Sequence, residues 1–185
     1  IRDYGSNNAG LTNVLRVFGK GPAVATLLCD LAKGVLAVVI CRLVVTNGFG
    51  VTFFHDDKFI GYLAGFFVML GHIFPVFYGF HGGKGVLIAA TTLIAIDPLT
   101  CAFSVAVFAI VLAATKYVSV GSICAAIAYP VFTPIVQLFI IKGDGVLANT
   151  LMATAIGLLI IYMHRPNIKR LMNGTENKFG SKKKA

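Results

Sequence analysis

Between Gly79 and Leu87 the chain reads GFHGGKGVL. Glycines packed around a lysine can do one thing well, which is to hold an anion. Gly82, Gly83 and Gly85 tolerate positive φ and let backbone N–H groups converge on a negative charge. A helix opening near Gly85 turns its positive end toward the same place, and Lys84 adds a full charge. The Walker pattern is not met, because Tyr78 stands where it needs Gly and Gly85 where it needs Ser or Thr. Alone, the turn fits a flexible hinge as well as it fits a phosphate cradle.

Two other stretches carry the same kind of residues. GSNNAGLTNVLR, from Gly5 to Arg16, sets Ser6, Asn8, Thr12 and Asn13 beside two glycines and ends on an arginine, whose planar fork suits phosphate. HRPNIKRLMNGTEN, from His164 to Asn177, follows the last apolar run. His164 and Asn167 are its candidates for chemistry. Arg165, Lys169 and Arg170, like Lys182, Lys183 and Lys184 further on, read as cations that anchor a helix end to anionic headgroups. His72, inside an apolar run, suits a hydrogen-bonded structural role as well as a catalytic one. His81 neighbours the glycine turn, and His55 is assigned no role.

The elements that must position these residues are membrane helices. The chain of 185 residues is 57% hydrophobic and 12% charged, with a mean hydropathy of +0.85. Soluble domains are roughly a quarter charged, so a polytopic all-α membrane bundle is expected, in one domain over residues 1–185 with residues 165–185 as a cytoplasmic tail. Six apolar segments are expected, at 22–45, 59–80, 86–96, 99–115, 120–141 and 146–163. Pro75 lies inside the second and Pro130 and Pro134 inside the fifth, where they are expected to kink it. The third is short for a crossing, and residues 1–21 are expected to be a polar loop. Asp30 and Lys33, at i and i+3 in the first segment, share a helical face and can pair. The N-terminus, which starts at Ile1, suggests that a further span precedes it. Cys29, Cys41, Cys101 and Cys124 each lie in an apolar run, form no CxxC and read as small buried hydrophobes. No metal, cofactor or nucleic acid is expected.

The net charge of +9 is unevenly placed. Arg2, Arg16, Lys20, Lys84, Lys116 and the basic tail fall on one side of the predicted topology, with Arg42, Lys58 and Lys142 on the other. The bias of Lys and Arg toward the cytoplasm puts all three polar stretches at that face. A transporter of an organophosphate anion would also want a basic vestibule. Sites at one face, without an internal repeat, fit a carrier poorly.

Taken together, IRDYGSNNAGLTNVLR, GHIFPVFYGFHGGKGV and HRPNIKRLMNGTE resemble, in order and spacing, the three cytoplasmic motifs of the bacterial acyl-phosphate:glycerol-3-phosphate acyltransferases, the PlsY family. The chain departs at Asn7, where a Gly is common, at Leu11, where a small residue is usual, and at Leu87-Ile88, where a small residue and Thr are expected. The resemblance implies seven helices with an outside N-terminus, in the bacterial inner membrane. It implies acyl transfer from an acyl phosphate to the sn-1 hydroxyl of glycerol 3-phosphate, giving lysophosphatidic acid and phosphate. Its partners would be those two substrates, the membrane phospholipid and the acyltransferase that makes acyl phosphate. Ser6, Arg16, Lys84, His164 and Asn167 carry over around the two substrates, and Arg16 and Lys84 would hold phosphate charge. The Gly82-Gly83 backbone, with Gly85 beside it and Asn8, Thr12 and Asn13 nearby, would form a second phosphate nest. Ser6 and His164 would orient the hydroxyl, whose proton goes to one of them or to the substrate's own phosphate.

Overall fold

A run of apolar residues with no backbone partner outside itself must satisfy its own N–H and C=O groups, and in lipid that means a helix. The computed structural model describes residues 1–54, 56 and 58–180, so the readings of His55 and of Lys182, Lys183 and Lys184 lie outside the described residues. The helices are α1 (Leu11–Phe18), α2 (Lys20–Arg42), α3 (Lys58–Ile73), α4 (Val86–Ile96), α5 (Pro98–Thr115), α6 (Val118–Ile135), α7 (Val146–Met163) and α8 (Arg165–Met172). Wider π turns extend α2 over Leu43–Gly48 and α6 over Val136–Ile141. Among the described residues five helical segments are long and apolar enough to cross a membrane: Lys20–Gly48, Lys58–Tyr78, Pro98–Thr115, Val118–Ile141 and Val146–Met163. This is a multi-pass membrane protein, and α4 is the shorter apolar helix among them.

Several boundaries differ from expectation. The second apolar segment does not stay helical to Phe80. Pro75 disfavours helix at the residue before it, so α3 stops at Ile73 and a single 3-10 turn follows at Val76–Tyr78. The fifth segment stays one helical run as expected, with Pro130 and Pro134 inside α6, which then widens into its π turn. The polar stretches hold helices too. In α1 the apolar residues gather on one face, and α8 opens with Pro166 in its first turn, where the missing N–H costs no helical bond.

Helix α4 is held between its neighbours by small residues. A Cβ on Gly34 of α2 would collide with Thr91, and one on Gly65 of α3 would press on Thr92. The two threonine hydroxyls turn inward and donate to the Ile88 carbonyl at 2.9 and 3.0 Å. Such close backbone approach is how membrane helices gain packing without a hydrophobic drive between them. Around α4 lies the core of Val38, Tyr62, Met69, Ile73, Ile88, Leu93, Tyr129 and Ile156. At the end of the bundle near the start of α5, a chain of buried polar groups closes the fold. Gln137 Nε2 donates to Tyr62 Oη at 3.2 Å and to Asp97 Oδ2 at 3.3 Å. Asn149 Nδ2 donates to Gln137 Oε1 at 3.0 Å and to Asp56 Oδ2 at 2.6 Å. Asp97 also caps α5 through the Thr100 N–H at 3.2 Å.

Candidate active site

Because α3 stops early, its last carbonyls need donors, and the glycine turn supplies them. Gly82 N–H donates to Ile73 O at 3.0 Å and Gly83 N–H to His72 O at 3.2 Å. This corrects the expectation that Gly82 and Gly83 turn their N–H groups on a phosphate, since both are bonded inside the fold. The residues must still be glycine: a Cβ on Gly82 would run into the His72 and Ile73 carbonyls, and one on Gly83 into the His72 ring. Gly85 then takes φ +81° and starts α4. The first N–H groups of α4 follow directly after Lys84, and a helix start leaves such groups without intrahelical partners.

The first polar stretch folds around Asn13. Its Nδ2 donates to Tyr4 O and Asn8 O, each at 2.9 Å, and its Oδ1 accepts the Ser6 N–H at 2.9 Å. Asn13 is buried with these groups all engaged, so it builds the loop rather than offering the free contact expected of it. Asn8 links the stretches: Oδ1 accepts the Gly10 N–H at 2.9 Å and Nδ2 reaches Gly82 O at 3.3 Å. Ser6, Thr12 and Arg16 are left lining a cavity beside Lys84.

The third stretch enters at the α7–α8 junction. His164 is buried, and its Nδ1 lies 2.8 Å from Ile160 O. A carbonyl only accepts, so Nδ1 carries the proton and Nε2 keeps its lone pair. Burial, with Lys84 adding to it, pushes the His164 pKa down to about 4, so the ring is neutral at physiological pH. Asn167 Nδ2 donates to Glu176 Oε1 at 2.7 Å, while its buried Oδ1 has no partner among the described residues. Arg170 Nε donates to Glu176 Oε2 at 2.6 Å. Burial alone would raise the Glu176 carboxyl; the donors from Asn167 and Arg170 outweigh it and hold the group below the usual range.

These pieces surround one cavity of about 380 Å³. Its mouth is polar and cationic, with Ser6, Asn8, Thr12, Arg16, Lys84, His164, Asn167 and Arg170. Its floor is apolar, with Leu93, Cys101, Val105, Phe108, Tyr129 and Ile160 of α4–α7. Gly82 and Gly83 stand behind this wall and face a smaller cavity. Lys84 is the most perturbed cation of the mouth: burial first, then Arg170 and Arg16, pull its pKa down to about 8 against the opposing pull of Glu176. A site of this kind can gather phosphate charge, orient a hydroxyl against a neutral imidazole and shelter an aliphatic chain. Arg170 and Glu176 are the members that sequence reasoning missed. Arg170 sits one turn after Asn167 on a helix that the pattern did not disclose, and Glu176 is the acid of the third motif, whose partner was therefore hidden as well.

Residues 1–174 match the family described as Glycerol-3-phosphate acyltransferase. The glycerol-3-phosphate acyltransferase of Clostridioides difficile (strain 630) is 43% identical over 183 residues, covering 99% of this chain and 83% of that protein. That of Paraburkholderia phymatum is 42% identical over 184 residues, covering 100% of this chain and 81% of the relative. Among solved structures, the glycerol 3-phosphate form of the integral membrane acyltransferase PlsY (YgiH) superposes with a TM-score of 0.78 at 37% identity, covering 97% of this chain and 82% of PlsY. Its lysophosphatidic acid form gives a TM-score of 0.76 at 37% identity, covering 95% of this chain and 82% of PlsY. With the three polar stretches meeting at one cavity and the match running through nearly the whole chain, the protein belongs to the glycerol-3-phosphate acyltransferase family, whose integral membrane fold it shares.

Proposed function

We propose that this protein transfers a fatty acyl group from an acyl phosphate to the sn-1 hydroxyl of glycerol 3-phosphate at the cytoplasmic face of a bacterial inner membrane. The products are lysophosphatidic acid and inorganic phosphate, the first acylation of phospholipid synthesis. The observation that carries this reading is the single cavity joining a cationic mouth to an apolar floor. Both substrates carry phosphate and one carries a fatty tail, so the pair fits such a cavity. An acyltransferase that makes acyl phosphate would supply the donor.

The chemistry needs little from the protein beyond placement and charge. The glycerol hydroxyl attacks the carbonyl carbon of the mixed anhydride. The acyl carbon–oxygen bond to phosphate breaks, and the phosphate leaves with the electron pair. It would leave as a trianion unless it took a proton, so the hydroxyl proton ends there. His164, with a pKa of about 4, is too weak a base to keep that proton. Its Nε2 instead accepts the hydroxyl hydrogen bond and aims the oxygen, with Ser6 beside it. Arg16, Lys84 and the free N–H groups at the start of α4 hold phosphate oxygens, with Asn8, Thr12, Gly85 and Asn167 completing the wall.

The test is phosphate release by the purified protein in detergent, with palmitoyl phosphate and glycerol 3-phosphate, and palmitoyl-CoA as a parallel donor. Release from acyl phosphate alone, dependent on glycerol 3-phosphate and cut by orders of magnitude in Lys84→Ala, is expected. No release from folded protein would overturn the reading and favour an anion carrier, which turns over nothing without a sealed vesicle.

A further inference from the structure

The smaller cavity, of about 240 Å³, lies against Gly82 and Gly83. Asp30 and His72 line both it and the larger one. Neither residue has a part in the acyl-transfer reading, yet they stand where the glycine turn is attached. On α2, Lys33 Nζ lies 2.6 Å from Asp30 Oδ1 and 2.9 Å from His72 Nδ1. Asp30 Oδ1 is 3.9 Å from the same ring nitrogen, too far for a hydrogen bond. Asp30 therefore pairs with the Lys33 ammonium and does not compete for the ring. An ammonium only donates, so His72 Nδ1 accepts and the ring proton belongs on Nε2. That edge of the ring faces Gly83, where even one added methyl would overlap Nε2, Cε1 and Cδ2. The His72 carbonyl meanwhile takes the Gly83 N–H at 3.2 Å, and the next residue in the chain is Lys84.

We propose that Asp30 and Lys33 lock His72 in its Nε2–H tautomer, and that the locked ring is a positioning residue for the Gly82–Gly85 turn. A ring held from α2 gives Gly83 a fixed platform. Lys84 and the first N–H groups of α4 then face a phosphate together instead of separately. The ion pair within the first span thereby sets the height of the turn that carries Lys84.

The inference rests on the acyl-transfer reading for its kinetic arm and is independent of it for its spectroscopic arm. In detergent, protein labelled with ¹⁵N-histidine should show His72 with its proton on Nε2, the signal being assigned by its loss in His72→Gln. Lys33→Met should give a mixture of tautomers. The same variant should raise KM for glycerol 3-phosphate by about tenfold or more while kcat stays within about threefold, the signature of lost placement rather than lost chemistry. Lys33→Arg, another donor-only cation, should restore both the tautomer and KM. An unchanged KM in folded Lys33→Met, or a loss that Arg does not repair, overturns the inference. If Lys33→Met does not fold, the unmodified protein decides, because a proton on Nδ1 of His72 overturns it equally. Absence of turnover in the unmodified protein sinks the acyl-transfer reading and leaves the tautomer to decide this one.

Discussion

Lys84 concentrates the electrostatics of the site in one titration. It sits among Arg16 and Arg170 in a partly buried mouth, and its pKa is held near 8 instead of the usual value for lysine. The sign follows from the charge it must carry: below about pH 8 the ammonium is present to meet phosphate, and above it that charge is lost. We expect kcat/KM for glycerol 3-phosphate to fall roughly tenfold per unit above that pH, as for loss of one essential proton. Lys84→Arg should push this limb beyond the accessible range, since guanidinium keeps its proton. A pH–rate profile with an alkaline limb that stays in place in the Arg variant would assign the limb to another group. Glu176 tunes the same residue from across the cavity, because its carboxylate favours the Lys84 ammonium. The glycines beside it were only half legible. GGKG could be read as an anion-holding turn. That Gly82 and Gly83 face α3 rather than the ligand could not, because the sequence does not say which of several carbonyls will need their N–H groups.

Helix α8 is the element on which the third motif depends. Eight residues long, it has few apolar contacts of its own to hold it against the bundle. The Glu176 carboxylate folds the segment after α8 back onto that helix by accepting from both Asn167 and Arg170. We expect Glu176→Gln to loosen this clamp, since hydrogen bonds to a charged group are worth about 1.5–3 kcal/mol. It should also shift the alkaline limb of Lys84 below pH 8, because one of the groups favouring the ammonium is gone. Protease sensitivity after Met163 and the pH–rate profile read the two effects separately, and an unchanged limb would show that Glu176 does not act on Lys84. The long apolar helices were visible in hydropathy alone. Helices α1 and α8 were not, because both are short and polar and are stabilised by what they dock on rather than by their composition. The early end of α3 could have been read from Pro75, whose effect on Phe74 is local; the apolar run simply continued past it.

At the scale of the molecule, the bundle is asymmetric about α4. One end of that helix opens into the cationic cavity, and the other meets the buried Asp97–Gln137–Asn149 chain. Hydropathy announced a membrane protein, and the predicted topology announced that the three motifs share one end of the bundle. The floor of the cavity was not announced, because Cys101, Phe108 and Tyr129 look like any core residues until α5, α6 and α7 are assembled around α4. The brevity of α4 has an electrical consequence. Eleven residues rise only about 16 Å, roughly half the hydrocarbon thickness of a bilayer. We expect water and mobile charge to reach into the insulating slab from the cavity side, so that the voltage across the membrane drops over a shortened path. A dianion seated at Lys84 would then lie part-way down that drop, each of its charges feeling a fraction of about 2.3 kcal/mol per 100 mV. In sealed vesicles with the cavity facing the negative compartment, the apparent affinity for glycerol 3-phosphate should strengthen as a potassium diffusion potential is raised. The same titration in detergent, where no voltage exists, sets the baseline. An affinity indifferent to voltage would mean that the site lies outside the field, at the level of the headgroups, and that the short helix is matched by a local dip in the bilayer instead.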